Sequence, residues 1–232
     1  MTTPDFSQTK ACVFDAYGTI FDLVSATDRL SAELGEDLAP KLGELWRTKQ
    51  LQYSWLRSLT GHYTSFWDVT RDALDYSFEQ LGIKNPALKE KLIEGYRALD
   101  AYPDVKPILA KLKQAGLKTA ILSNGSPDML ASGVRGAGLT DLLDAVLSVE
   151  DAGVFKPDYR VYQLACDRFN VSPAAICFLS SNGWDAAGAA SFGFKVAWIN
   201  RNKLPIERLP GKPDAIIRSM DDLPALLGLE SI

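Results

Sequence analysis

The sequence predicts an α/β fold: a parallel β-sheet covered by helices on both faces, with an all-helical segment inserted after the first strand. Three observations carry this. A short apolar run, "ACVFDAYG" from Ala11, opens the ordered pattern. From Ser25 to about Leu99 the spacing turns helical, with little strand signal. After "DAYPDV", short apolar runs alternate with helical stretches of about a dozen residues, the rhythm of strands joined by crossover helices. Crossovers of that kind are right-handed almost without exception.

In the inserted segment, "LGELWRTKQLQYSWLRSL" places Leu42, Leu45, Trp46, Leu51, Tyr53, Trp55, Leu56 and Leu59 largely at three- and four-residue steps. That suits a helix buried on much of its surface. "SFWDVTRDALDYSFEQLG" repeats the pattern and stops at Gly82, a plausible C-cap. "NPALKEKLIEGYRAL" supplies a third helix, with Asn85 as N-cap and Pro86 in its first turn. The alternating region then reads helix "VKPILAKLKQAG", strand "LKTAILSNGS", strand "AVLSVED", helix "DYRVYQLACDRFN", strand "AAICFLSSNG", helix "DAAGAASFG" and strand "KVAWIN". The division expected is a core of 1–22 and 100–232 and a helical unit of 23–99.

Composition excludes several classes of function. The chain of 232 residues is 47% hydrophobic and 23% charged, with a net charge of −4, so a broad basic surface for nucleic acid is not expected. No apolar run reaches membrane-spanning length, and "MTTPDFSQTK" lacks a signal-peptide pattern, so a cytoplasmic location away from membranes is expected. Cys12, Cys166 and Cys177 are odd in number, widely spaced and set among apolar residues, as buried free thiols are. The single histidine, His62, lies in the loop-like "LTGHYTS" and reads as a surface residue. With no G-x-S-x-G elbow, a Ser–His–Asp triad is not expected.

Four polar clusters fall at the predicted carboxyl ends of strands or just beyond, where open parallel sheets bind ligands. Asp15 follows "CVF", Ser123 and Asn124 follow "TAIL", Lys156 stands in "VFKPD", and Ser180, Ser181, Asn182 and Asp185 follow "ICFL". Each alone reads equally well as a turn or helix start. Their convergence on one edge is the stronger observation.

The set "FDAYGTIFD", "ILSNGSP", "FKPDYRVYQLA" and "FLSSNGWDAAGA", in this order and separation, resembles the haloacid dehalogenase (HAD) superfamily from about residue 10 to 225. "LWRTKQLQYSWLRSLTGHYTSF" and the "SSN…WDA" segment are similar to L-2-haloacid dehalogenases within it. The resemblance implies a HAD-like fold, a Rossmann-like core with a helical cap, and often a homodimer. Most of the superfamily transfers phosphoryl groups, using Mg²⁺ and an acid two residues beyond the nucleophilic Asp. Here that position is Tyr17, and the place of a metal-binding Gly-Asp pair reads Ser180–Ser181. A halide leaves without protonation, and a 2-haloacid monoanion can be held by Arg, Lys and backbone N–H groups. The expected reaction therefore converts short-chain L-2-haloacids to D-2-hydroxyacids with no cofactor or metal. A magnesium-dependent phosphomonoesterase and a catalytically silent binding protein are the rival readings.

The same resemblance assigns roles. Asp15 is the nucleophile that forms the ester, and Lys156 keeps its carboxylate ionised and oriented. Arg47 faces the halogen with Asn124. Ser123, Asn124 and the N–H groups of Ala16 and Tyr17 bind the substrate carboxylate. Thr19 ties the Asp15 loop together, and Ser180, Asn182 and Asp185 orient the hydrolytic water. Tyr162 supports Lys156 or Asp185 beside the substrate. Leu51, Phe66 and Trp184 form the apolar wall around the alkyl group. Gly183 stands where the resemblance leads one to expect Ala, leaving room beside the water site.

Overall fold

The computed structural model describes residues 5–23 and 31–229, and the side chains of 33–229 in the latter span. The predicted beginning of the helical segment, 25–30, lies outside the described residues, as do the first four residues of the chain. Six strands form one sheet in the order β3-β2-β1-β4-β5-β6, every neighbouring pair parallel. They are β1 (Ala11–Phe14), β2 (Lys118–Ser123), β3 (Ala145–Ser148), β4 (Ile176–Ser180), β5 (Lys195–Ile199) and β6 (Ala215–Ile217). β1 and β4 are buried along their whole length, as strands covered on both faces must be.

Between β1 and β2 the described chain is helical: α1 (Ser31–Leu34), α2 (Leu38–Thr60), α3 (Phe66–Leu81) and α4 (Pro86–Arg97). The caps follow the sequence signals. Asn85 Oδ1 accepts from the Leu88 N–H at 3.1 Å, and Gly82 closes α3 at φ 67°. The fully buried stripe of α2 differs from the apolar one expected. It runs Ala39, Leu42, Trp46, Gln50 and Ser54, at four-residue steps from Leu42, whereas Leu56 and Leu59 are exposed. Two polar side chains, Gln50 and Ser54, therefore occupy core positions.

The crossover helices are α5 (Val105–Gln114), α6 (Pro127–Gly136), α7 (Tyr159–Phe169) and α8 (Gly183–Phe192), with a terminal turn α9 (Leu223–Leu226). α6 and β6 have no counterpart in the sequence expectation. "PDMLASGVRG" carries two glycines and a serine, which weaken a helical pattern, and β6 is only three residues long. Gly133 of α6 is where Phe21 packs: a Cβ there would lie 2.8 Å from the Phe21 Cζ. All three cysteines are buried free thiols, and His62 is exposed in the α2–α3 loop, as the sequence indicates. Among the described residues no helix is long and apolar enough to cross a membrane.

Candidate active site

The carboxyl ends of β1, β2 and β4 lie side by side because β1 is central and pairs with both neighbours. Asp15 is the first residue beyond β1, anchored by its own N–H to the Leu179 carbonyl at 2.8 Å. The chain then turns sharply. The Ala16 carbonyl accepts from the N–H groups of Ile20 and Phe21 at 2.8 and 2.9 Å, and Gly18 adopts φ 85°, a left-handed conformation that favours glycine. The turn holds the Asp15 carboxylate, 6% exposed, at the sheet edge.

Five side chains from three distant segments meet on the two carboxylates. Lys156, from the loop between β3 and α7, places Nζ 3.2 Å from Asp15 Oδ1 and 2.9 Å from Asp185 Oδ2. On the other Asp15 oxygen, Oδ2, converge Asn182 Nδ2 at 2.8 Å, Thr19 Oγ1 at 3.2 Å and Ser180 Oγ at 3.5 Å. Asp185, in the first turn of α8, accepts the Tyr162 hydroxyl on Oδ1 at 2.7 Å. Of the two partners expected for Tyr162, the structure selects Asp185. Tyr162 is fully buried in α7, wholly enclosed behind the two carboxylates.

Burial works against the charges of Lys156 and Asp185. It pulls the Lys156 ammonium down, but Asp15 and Asp185 more than offset this, and its pKa is raised. For Asp185, burial pushes the carboxyl up, Lys156 draws it back, and the Asp15 charge pushes it up again. The result lies above the ordinary aspartate value. The Tyr162 phenol is pushed far up by burial and then by Asp185, so it serves as a neutral donor.

Other predicted residues surround this centre. Arg47, half-buried on α2, donates from Nη2 to Asn182 Oδ1 at 3.3 Å and from Nη1 to Gln50 Oε1 at 2.8 Å. Asn124 Oδ1 accepts the Lys156 backbone N–H at 3.0 Å, which leaves Nδ2 as its available donor. Ser123 Oγ accepts from the Gly125 N–H at 3.1 Å and so shapes the loop after β2. Phe66 packs on the Tyr17 ring, centroids 5.9 Å apart, and Trp184 meets Trp55 edge-on at 5.4 Å. Leu51 stands one turn beyond Arg47, half-buried, outside the hydrogen-bonded cluster. The room expected at Gly183 is taken: a Cβ there would lie 2.8 Å from Glu207 Cγ, so the Glu207 side chain fills it.

Three contributors were not legible as site residues. Ser181 donates from Oγ to the Gly18 carbonyl and from its N–H to Thr19 Oγ1, at 2.6 and 2.8 Å, clamping the turn after Asp15 to the end of β4. Gln50 holds Arg47. Gly188 makes room for Tyr162: a Cβ there would lie 2.7 Å from the phenol oxygen. The signal for Gln50 was its place on the buried stripe of α2. Ser181 stands in the polar cluster after "ICFL", which marks its place but not its clamping role, and for Gly188 the sequence holds no signal.

A magnesium ion does not suit this donor set. Lys156 already bridges the two carboxylates as the local cation, and every oxygen of Asp15 and Asp185 accepts a hydrogen bond. Among the described residues no group of three or more His, Cys, Asp or Glu side chains could hold a metal ion.

Comparison with known proteins identifies the family. A family model described as haloacid dehalogenase-like hydrolase matches residues 9–193. The chain is 45% identical over 219 residues to (S)-2-haloacid dehalogenase 1 of Pseudomonas sp. (strain CBS-3), covering 94% of this chain and 96% of that relative. It is 48% identical over 196 residues to the (S)-2-haloacid dehalogenase of Xanthobacter autotrophicus, covering 83% and 75%. The solved structure of the Xanthobacter L-2-haloacid dehalogenase with chloropropionic acid covalently bound superposes with a TM-score of 0.86 at 40% identity, over 96% of this chain and 100% of that one. On the strength of a family match over most of its length and of relatives this similar, the chain belongs to the haloacid dehalogenase-like hydrolases.

Proposed function

We propose that this chain hydrolyses short-chain L-2-haloacids to D-2-hydroxyacids, with inversion, through an ester on Asp15 and without a metal. The observation that carries the reading is Lys156 Nζ between Asp15 Oδ1 and Asp185 Oδ2, at 3.2 and 2.9 Å. A fixed cation there holds the nucleophile's carboxylate in place and balances its charge. The covalent chloropropionic acid complex of the Xanthobacter relative supports a covalent route.

In the first step an Asp15 carboxylate oxygen attacks the α-carbon opposite the halogen. A C–O bond forms as the C–X bond breaks, and the halide leaves with the electron pair. Oδ1 accepts one hydrogen bond and Oδ2 three, so Oδ1 is the freer nucleophile. Arg47 and the free Nδ2 of Asn124 receive the halide, while Ser123, Asn124 and the N–H groups of Ala16 and Tyr17 bind the substrate carboxylate. Phe66, Leu51 and Trp184 enclose the alkyl group.

Water then adds to the Asp15 carbonyl carbon. Oδ2, now the carbonyl oxygen, gathers negative charge among the donors Asn182, Thr19 and Ser180. Asp185, held by Tyr162 and Lys156, accepts the water's proton. Collapse of the adduct breaks the ester bond; the departing alkoxide takes the proton held by Asp185 and leaves as the hydroxyacid, and the new Asp15 carboxyl releases the water's second proton to solvent and returns as the carboxylate. Tyr17 is a poor candidate for a phosphatase-type acid, since burial first, then Tyr96 and Asp15, raise its pKa far above the ordinary phenol.

On this reading 23–99 caps a core of 1–22 and 100–232. A cytoplasmic homodimer belongs to it too; buried free thiols suit a reducing compartment, and exposed Leu56, Leu59 and Tyr76 offer an apolar face.

The test is halide release from L- and D-2-chloropropionate in EDTA, with chiral analysis of the lactate. Release from the L form alone, giving D-lactate, is expected. Release of phosphate from phosphate esters only when magnesium is restored, with no halide from either enantiomer, would overturn it.

A further inference from the structure

Gln50 is 1% exposed, near the middle of α2, at a position where a core helix ordinarily carries an apolar residue. A buried carboxamide is tolerated only when its donors and acceptor are paired, and here they are paired to a purpose. Nε2 donates to Thr70 Oγ1 at 2.7 Å and to the Tyr96 hydroxyl at 3.1 Å. Oε1 accepts from Arg47 Nη1 at 2.8 Å and from the Tyr96 hydroxyl at 3.3 Å. Three helices thus meet on one amide.

The orientation of that amide follows from the network. The Thr70 hydroxyl spends its only proton on the Phe66 carbonyl, at 2.7 Å, so toward Gln50 it can only accept. Nε2 must therefore face Thr70, and Oε1 is left facing Arg47, a group that can only donate. Thr70 is itself fixed: it is fully buried, and its carbonyl accepts from Trp46 Nε1 at 2.8 Å. Tyr96 is wedged between the rings of Trp46 and Tyr17, at 5.3 and 5.4 Å, and Tyr17 lies two residues beyond the nucleophile.

We propose that Gln50, oriented by Thr70 and Tyr96, is a positioning residue that fixes the Arg47 guanidinium so that Nη2 and the remaining N–H groups face Asn182 and the site of halide departure. The role given to Arg47 rests on the dehalogenase reading above; the Gln50–Arg47 bond does not. A flexible arginine would lose its alignment with the leaving group, and misplacement of that kind can cost up to about 100-fold in rate.

Two variants and two readouts decide it. Gln50→Leu keeps the volume and removes the acceptor; Gln50→Glu keeps an acceptor but draws the guanidinium charge to itself. Both are compared with wild type for kcat and KM on L-2-chloropropionate, for competitive inhibition by bromide, and for the Arg47 side-chain signals by ¹⁵N NMR. Expected are a kcat loss of roughly 10- to 100-fold in Gln50→Leu, weaker bromide inhibition in both variants and most in Gln50→Glu, and Arg47 signals that merge as the guanidinium rotates freely. Lowered thermal stability with unchanged kcat, bromide inhibition and Arg47 signals would overturn the proposal, leaving Gln50 a packing residue. If wild type releases no halide, the dehalogenase reading falls, while the NMR comparison still decides whether Gln50 fixes Arg47.

Discussion

The Arg47 guanidinium and the Asn182 carboxamide, 135 residues apart in the chain, meet at 3.3 Å. Asn182 in turn donates from Nδ2 to Asp15 Oδ2 at 2.8 Å and to the Tyr17 carbonyl at 3.1 Å. The guanidinium accepts nothing, so it pins the amide oxygen on its own side and the amide nitrogen on the nucleophile's. A residue of the helical segment thereby settles the orientation of a group on Asp15.

Coupling between the two should be measurable. Arg47→Met and Asn182→Ala are each expected to lower kcat by roughly 100-fold or more, as the loss of one charge-stabilising donor does. The double variant should lose less than the product, with a coupling of about 1–2 kcal/mol in a double-mutant cycle. Strict additivity in kcat/KM would mean that the two groups act independently.

Lys156 should matter to stability as well as turnover. With 1% of its side chain exposed, its removal in Lys156→Met strands two carboxylates and should destabilise the fold by roughly 3–5 kcal/mol. Its folded pKa is raised, so the stability it contributes is fully present below 10.5 and is lost as pH rises through the higher folded value. Thermal melts of wild type from pH 7 to 11.5 should fall at the alkaline end, and the difference from Lys156→Met should shrink there. A constant difference across that range would contradict the ion-pair account.

Asp185 also has a raised pKa, but its titration belongs to the acid side. Burial raises its pKa, so it takes up a proton at a higher pH than an ordinary aspartate as the solution is acidified, and the base is lost. On the stability side, a raised carboxyl pKa is favourable below 3.8 and that contribution is lost as pH rises through the folded value. Lys156 and Tyr162 both donate to the charged form and oppose the burial that raises this pKa. Tyr162→Phe removes a hydrogen bond to the charged form and should move the acid limb of kcat upward in pH, with kcat reduced about tenfold. An acid limb that stays in place would remove Asp185 from the deacylation step.

The sheet and the polar edge were legible because both are written in short sequence. "CVFD", "AILSN" and "ICFLSSN" each carry a buried strand and the polar group at its end, and a parallel sheet brings such ends together. α6 was hidden because its pattern is broken by Gly133, whose purpose is to admit Phe21, a residue over a hundred positions away. The clamping role of Ser181 and the place of Gly188 were hidden for the same kind of reason: their partners, Gly18 and Tyr162, are set by tertiary approach. The polar stripe of α2 misled because a buried Gln and an exposed Leu, at positions 50 and 59, invert the ordinary reading of periodicity.

Two glycines of α8 should respond oppositely to alanine. At Gly183 the added Cβ meets Glu207 Cγ at 2.8 Å, part of an exposed side chain that can swing into solvent. Alanine also favours helix over glycine by roughly 0.5–1 kcal/mol, so Gly183→Ala should be neutral or slightly stabilising with turnover retained. At Gly188 the Cβ meets the Tyr162 oxygen and Pro157 Cβ, both at 2.7 Å. Neither can yield: the phenol is fully buried and bonded to Asp185, and the proline ring follows Lys156. Gly188→Ala is therefore expected to destabilise by about 1–3 kcal/mol, and to shift the acid limb of kcat upward as Tyr162→Phe does. Melting curves and pH–rate profiles of the two variants make the comparison. Equal behaviour of the pair would show that the approach of α8 to Tyr162 is not what holds Asp185 in place.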